Sequence, residues 1–193
     1  VKRVSGLILR GIFLCRPSDV QWFYQEGASR LFPDFWRDFI SPVAEQDRHD
    51  MVSAYYQLLT GDDELARMRA AEAWSFWEGR TSTLMPNPQL ANSFAEPFSA
   101  LAMARIECHY FVNDSFMDNN QLLRDADKLS SIPTWIIHGR YDCVCPVEQA
   151  TALADVMPHA QLNIVDGAGH SAFEPEIMAA LIAATDSFAD QTQ

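Results

Sequence analysis

Two residues able to move a proton between them stand just past the ends of two short apolar runs. Asp142 follows Trp135-Ile-Ile-His-Gly-Arg-Tyr, and His170 follows Ile164-Val-Asp-Gly-Ala-Gly. Each run is β-rich and stops at glycine and polar residues, as strands of an open parallel sheet do where their carboxyl ends give way to loops that carry chemistry. A carboxylate beside an imidazole fixes the ring tautomer and stabilises the imidazolium, which makes the ring a general base. Gly167-Ala-Gly ahead of His170 predicts a tight turn that leaves the imidazole accessible. Asp142 has a second job open to it, capping the helix expected from Pro146.

An acid followed along the chain by a histidine is the later part of the order Ser, Asp, His found in α/β-hydrolases, where the serine sits on a G-x-S-x-G elbow between strand and helix. No G-x-S-x-G occurs in the 193 residues. Gly27-Ala-Ser29-Arg-Leu31 comes nearest, but it lacks the second glycine and no β-rich run precedes it. Cys143 and Cys145 flank Asp142, and a thiolate paired with an imidazole can cleave amides. Both lie in the loop that positions the acid rather than across from His170, which disfavours them. Either the chain does something else, or it is a piece of a longer protein.

Composition narrows the partners. Hydrophobic residues at 48% and charged residues at 21% describe an ordinary globular chain, with room for one core and a small appended domain. The net charge of −12 leaves no basic stripe to neutralise phosphates, so nucleic acid is not expected. No apolar run reads as a membrane span or a leader. Cys15, Cys108, Cys143 and Cys145 are scattered; the one Cys-x-Cys pair lacks zinc spacing, and reduced thiols of a cytoplasmic protein are the plainer reading. No metal or cofactor is expected.

The elements that must carry these residues are alternately sheet-like and helical. Gly6–Leu9 reads as a strand of a parallel sheet, buried and therefore needing neighbours on both sides, and Thr134–His138 and Gln161–Val165 are the other two candidates. Helices are expected after Ser18, from Pro33, over Asp47–Thr60 up to Gly61, over Asp62–Trp77, over Phe98–Phe111, over Pro146–Met157 and over Pro175–Ala189. About a hundred helical residues thus lie between strands, as an inserted cap would. The expected fold class is α/β, a partial α/β-hydrolase sheet formed by residues 1–16 and 128–193, with an all-helical cap over residues 17–127.

Six segments carry a family resemblance: Gly6-Leu-Ile-Leu-Arg-Gly-Ile-Phe13, Trp22-Phe-Tyr-Gln-Glu-Gly-Ala-Ser29, Phe76-Trp-Glu-Gly79, Ala104-Arg-Ile-Glu107, His138-Gly-Arg-Tyr-Asp142 and Gly167-Ala-Gly-His170. In this order they resemble the C-terminal two-thirds of the proline iminopeptidases, serine aminopeptidases of the α/β-hydrolase superfamily. The resemblance implies a missing N-terminal section carrying the oxyanion loop and the nucleophile elbow. It implies Asp142 and His170 as catalytic residues and peptides with N-terminal proline as substrates. It also implies that Glu78 and Glu107 in the cap face the catalytic site and bind the charged imino group, which needs acceptors and negative charge once it leaves water. Without the resemblance, a solvated helix face is the ordinary place for either glutamate. Phe13 and Tyr24, with Trp22 and Phe23, are candidates for the wall of an apolar pyrrolidine pocket or plain core aromatics. Arg10, Arg105 and Arg140 are expected to pair with carboxylates. An epoxide or ester hydrolase with a helical cap, a noncatalytic module that assembles with a separate N-terminal half, and an unstable fragment without function are the alternatives.

Overall fold

The computed structural model describes residues 3–191. In chain order it contains β1 (Leu7–Arg10), then seven helices: α1 (Pro17–Tyr24), α2 (Ala28–Leu31), α3 (Pro33–Ile40), α4 (Met51–Thr60), α5 (Glu64–Thr81), α6 (Pro88–Phe94) and α7 (Pro97–Phe111). A short α8 (Gln121–Arg124) leads to β2 (Thr134–Gly139), α9 (Val147–Val156), β3 (Gln161–Val165) and α10 (Pro175–Gln191). The chain divides into two compact units. One holds the described residues up to Leu14, the three residues Ser82–Leu84 and the described residues from Asn120 onward; the other holds Cys15–Thr81 and Met85–Asn119.

The first unit is built on a parallel sheet ordered β1-β2-β3, with Leu9 opposite Ile136 and His138 opposite Ile164. A strand's side chains alternate between faces, and β2 uses both. Ile136 packs with Ile12, Leu14, Leu153 and Met157 on the α9 side, while Trp135 and Ile137 pack with Ala168, Ile177 and Ala184 on the α10 side. Every residue of β2 is buried, as a strand covered on both faces requires. β1 departs from expectation. It is only half-buried, and among the described residues it pairs with β2 alone; an apolar cavity of about 710 Å³ lined by Leu9, Phe13, Leu14, Leu129, Leu153 and Met157 adjoins it.

The second unit is helical, with α5 packed against α3, α4, α6 and α7. Its core is aromatic: Phe23, Phe39, Tyr55, Trp74 and Trp77 are all essentially removed from solvent. Capping contacts account for two of the helix starts that differ from those expected. α4 starts at Met51 rather than Asp47 because the Asp50 carboxylate accepts the Ser53 N–H at 3.1 Å. α1 starts at Pro17, ahead of Ser18, and Asp19 accepts the Arg16 N–H at 2.9 Å. α6 was not expected, yet it carries both usual start signals, Pro88 in the first turn and Asn87 accepting the Leu90 N–H at 3.0 Å.

Candidate active site

The sheet unit brings Asp142 and His170 together. β2 delivers the acid: the chain turns directly after Gly139, and the Asp142 N–H returns to the Gly139 carbonyl. Asp142 is buried, and its two oxygens divide the work. Oδ1 accepts the N–H groups of Val144 at 3.0 Å and Cys145 at 2.8 Å, and Oδ2 lies 2.9 Å from His170 Nδ1. The cap role considered for Asp142 is therefore a local one, served by Oδ1 in the turn before α9, and it leaves Oδ2 for the imidazole. His170 keeps about a fifth of its side chain exposed, so the ring is reachable while its acid partner is not.

Three further groups, none singled out in the sequence reading, hold this pair. His138 lies in β2, fully buried beneath Asp142. Its Nδ1 stands 3.2 Å from the Ile12 N–H, so the proton is on Nε2, 2.8 Å from the Cys145 carbonyl and 3.3 Å from Asp142 Oδ2. Burial first, against the pull of the Asp142 charge, holds this imidazole below its ordinary pKa and keeps it neutral. Its only signal in the sequence is a polar residue inside an apolar strand. Glu174 grips the histidine loop from the other side, with Oε2 accepting from Gly169 N–H and Oε1 from Leu84 N–H, each at 2.7 Å. The Ser82 carbonyl accepts from the N–H groups of both His170 and Ser171.

Arg10 does not behave as the expected partner of a carboxylate here. Nη1 donates to the His170 carbonyl at 2.6 Å, and Nη2 lies 3.5 Å from Nε2 of the same residue. Arg140 does meet a carboxylate, Asp166, at 3.2 Å. The chain turns at Asp166 and Gly167 ahead of His170, and two glycines outside that segment, Gly11 and Gly139, are also needed. Among the described residues Gly11 is the one glycine in the left-handed region, with φ +52°, and a Cβ there would lie 2.9 Å from His170 Cε1. Gly139 is needed for space, since a Cβ on it would meet the Gly169 carbonyl oxygen at 1.9 Å.

The helical unit assembles the other named residues except Phe13, which is half-buried in the sheet unit beside the β1 cavity. Glu78 at the end of α5 is buried and accepts a short hydrogen bond from the Tyr24 hydroxyl. Glu107 on α7 accepts the indole N–H of Trp74 at 2.6 Å, and the Tyr24 ring stacks on Trp74 with centroids 4.3 Å apart. Burial and then the charge of Glu107 push the Glu78 carboxyl well above the carboxylate range, against the Tyr24 hydrogen bond. Burial pushes Glu107 up to about 6, against its bond from Trp74. Neither residue sits on a solvated face. The donors to these two carboxylates, a phenol and an indole, are uncharged, so an ammonium is a ligand that such a pair would favour.

Among the rival nucleophiles, Cys145 brings its thiol within 4.8 Å of a His170 ring nitrogen but is buried. Ser29 lies on the short α2, where its hydroxyl accepts the Gly27 N–H at 3.3 Å. Cys143 donates to the Tyr141 carbonyl at 3.3 Å, and burial, with the nearby Asp142 charge, raises its thiol rather than releasing a thiolate.

The alpha/beta hydrolase fold family matches residues 1–176. Among curated relatives, a proline iminopeptidase of Xylella fastidiosa (strain Temecula1 / ATCC 700964) is 52% identical over 188 residues, which is 97% of this chain and 60% of the relative. A proline iminopeptidase of Xanthomonas citri is 52% identical over 184 residues, 95% of this chain and 59% of the relative. One of Arabidopsis thaliana is 43% identical over 186 residues, covering 95% and 49%. The chain thus spans about three-fifths or less of the length of these relatives.

Proposed function

Because the chain belongs to the α/β-hydrolase fold family, we propose that Asp142 and His170 are the acid and base of a serine aminopeptidase that releases N-terminal proline from peptides. The observation that carries the reading is the 2.9 Å approach of His170 Nδ1 to the buried Asp142 Oδ2. With Nδ1–H donated to the carboxylate, Nε2 is the basic nitrogen. It takes the proton of a serine hydroxyl as that oxygen attacks the prolyl carbonyl, and then gives the proton to the departing amine. Water repeats the cycle to free proline. The serine and the oxyanion donors come from outside these 193 residues, so the chain alone turns nothing over.

Glu78 and Glu107 supply the specificity in this reading. A prolyl N-terminus is a secondary ammonium that loses hydration on binding, and two buried carboxylates with raised pKa replace that hydration and its charge balance. Tyr24, stacked on Trp74, gives an apolar face for the ring, and Phe13 is proposed as a further substrate-binding residue from the sheet unit. Substrates are peptides, in keeping with the names of the relatives. Among the described residues no helix is long and apolar enough to cross a membrane, and four cysteines outside any disulfide suit the cytoplasm.

A second reading is favoured by β1, which among the described residues pairs with β2 alone and lines an apolar cavity: a module completed by a separately encoded N-terminal half. Release of a chromophore from a prolyl arylamide separates the possibilities. The chain extended upstream through a nucleophile elbow, or mixed with such a half, turns over, and His170→Ala abolishes the activity. Turnover by the bare chain would sink both readings and send the search to Ser29 and the cysteines. An ester or epoxide hydrolase would keep full activity on amine-free substrates and gain nothing from Glu78 and Glu107.

A further inference from the structure

We infer that Asp142, Cys145 and His170 form a binding site for a borderline-soft divalent cation such as Zn²⁺. A carboxylate oxygen, the thiol sulfur and a ring nitrogen of these residues all lie within 4.8 Å of one another. Zinc takes sulfur at about 2.3 Å and nitrogen or oxygen at about 2.0–2.2 Å, so ligands around one tetrahedral ion stand roughly 3.3–3.8 Å apart. Side-chain shifts of about 1 Å bring the three atoms to that spacing. One sulfur, one nitrogen and one oxygen suit zinc or cobalt better than magnesium or calcium, which prefer oxygen alone.

The surroundings favour a formed site. Asp142 and Cys145 are buried, at 5% and 4% exposure, while the partly exposed His170 gives a route in. Asp142 is already oriented by the N–H groups of Val144 and Cys145, the kind of outer support that metal ligands have. His138 does not compete for the ion, because Nδ1 takes the Ile12 N–H and Nε2 serves the Cys145 carbonyl. That leaves the fourth position to water. Arg10, with Nη2 3.5 Å from His170 Nε2, is the positive charge that opposes the ion. The carboxylate and the thiolate together balance a dication. Binding forms bonds from the metal to O, N and S and releases the Cys145 thiol proton to solvent, so it strengthens as pH rises. The site needs no turnover and does not depend on the prolyl reading, but an ion there and a proton on its way through His170 exclude each other.

The test uses Co²⁺ on the 193-residue chain, where thiolate ligation gives a sulfur-to-cobalt charge-transfer band in the near ultraviolet. One Co²⁺ per chain is expected, displaced by Zn²⁺, with affinity falling at least about tenfold in Cys145→Ser and in His170→Gln. Cys143→Ser and Cys15→Ser bind as the parent does. A second measurement needs no variant: Zn²⁺ shifts the ring ¹⁵N resonances of His170 and leaves those of His138 in place. No band in the parent, a band that survives Cys145→Ser, or zinc shifts confined to other histidines overturns the inference. Failure of prolyl arylamide hydrolysis in the extended protein bears on the proposed peptidase and leaves this site standing.

Discussion

The carboxylate of Glu174 accepts the Gly169 N–H at 2.7 Å, one residue before His170, and its other oxygen holds the Leu84 N–H at the same distance. A charged acceptor shared by two backbone donors fixes the loop that carries the imidazole. Glu174→Gln replaces one acceptor by an amide that faces a donor, and such losses are worth about 1.5–3 kcal/mol. A lower urea midpoint with unchanged slope is expected, together with faster amide exchange at His170 and Ser171, whose N–H groups bond to Ser82. Unchanged exchange at those two amides would show that Glu174 is not what holds the loop.

That clamp marks where reading the sequence stops. Asp142 and His170 were legible because each follows a β-rich run that ends in a loop, and β2 and β3 were legible for the same reason. Glu174 and Ser82 gave no signal, since their work is done on backbone groups far away in the chain, and distance along the chain hides it. Cysteine spacing alone gives no sign of the cluster of Asp142, Cys145 and His170, because Asp142 and Cys145 share one loop and His170 comes from another. The composition of β1 is that of a buried strand, which needs a second neighbour, and the described residues supply β2 alone. The Asp50 cap explains the later start of α4.

Gly11 and Gly139 should tolerate alanine differently. At Gly139 the added Cβ meets a backbone oxygen at 1.9 Å, which no side-chain rotation relieves, and the expected cost is above about 4 kcal/mol or loss of folding. At Gly11 the positive φ costs an alanine roughly 1–2 kcal/mol, and the Cβ presses on the His170 ring. Thermal unfolding ranks the two. The low-field resonance of the His170 Nδ1 proton shifts or broadens in Gly11→Ala; a sharp, unmoved resonance would disprove the contact.

Stability should carry two opposed pH dependences. Glu107 ionises near 4.5 when unfolded and near 6 when folded, so between these values the folded state holds more protons and stability falls as pH rises. His138 has a lowered folded pKa, so below its ordinary value of 6.5 the unfolded state holds more protons and stability falls as pH drops. Glu107→Gln removes the share of the first slope that belongs to Glu107 and leaves that of Glu78, whose carboxyl is also raised by burial. It should stabilise the chain by on the order of 1 kcal/mol at pH 8, after loss of part of the Trp74 bond, and leave it no more stable than the parent at pH 4. Urea midpoints across this range check both signs, and a variant destabilised equally at both ends would refute the assignment.

If Glu78 and Glu107 receive an ammonium, binding must follow their ionisation. Trp74 donates to Glu107 and stacks on Tyr24, so its emission reports the state of that carboxylate. Titration with prolinamide, a cation throughout this range, should show affinity rising about tenfold from pH 5 to pH 7 as Glu107 ionises around 6. Glu107→Gln should bind weakly and without that pH dependence. Glu78→Gln should also bind weakly, and Tyr24→Phe should weaken binding at pH 6 because Glu78 loses the donor that favours its charged form. His170→Ala, which leaves the helical unit untouched, should bind as the parent does. Affinity independent of pH in the parent, or retained in both glutamine variants, would place the amine elsewhere and remove the physical reason for proline specificity.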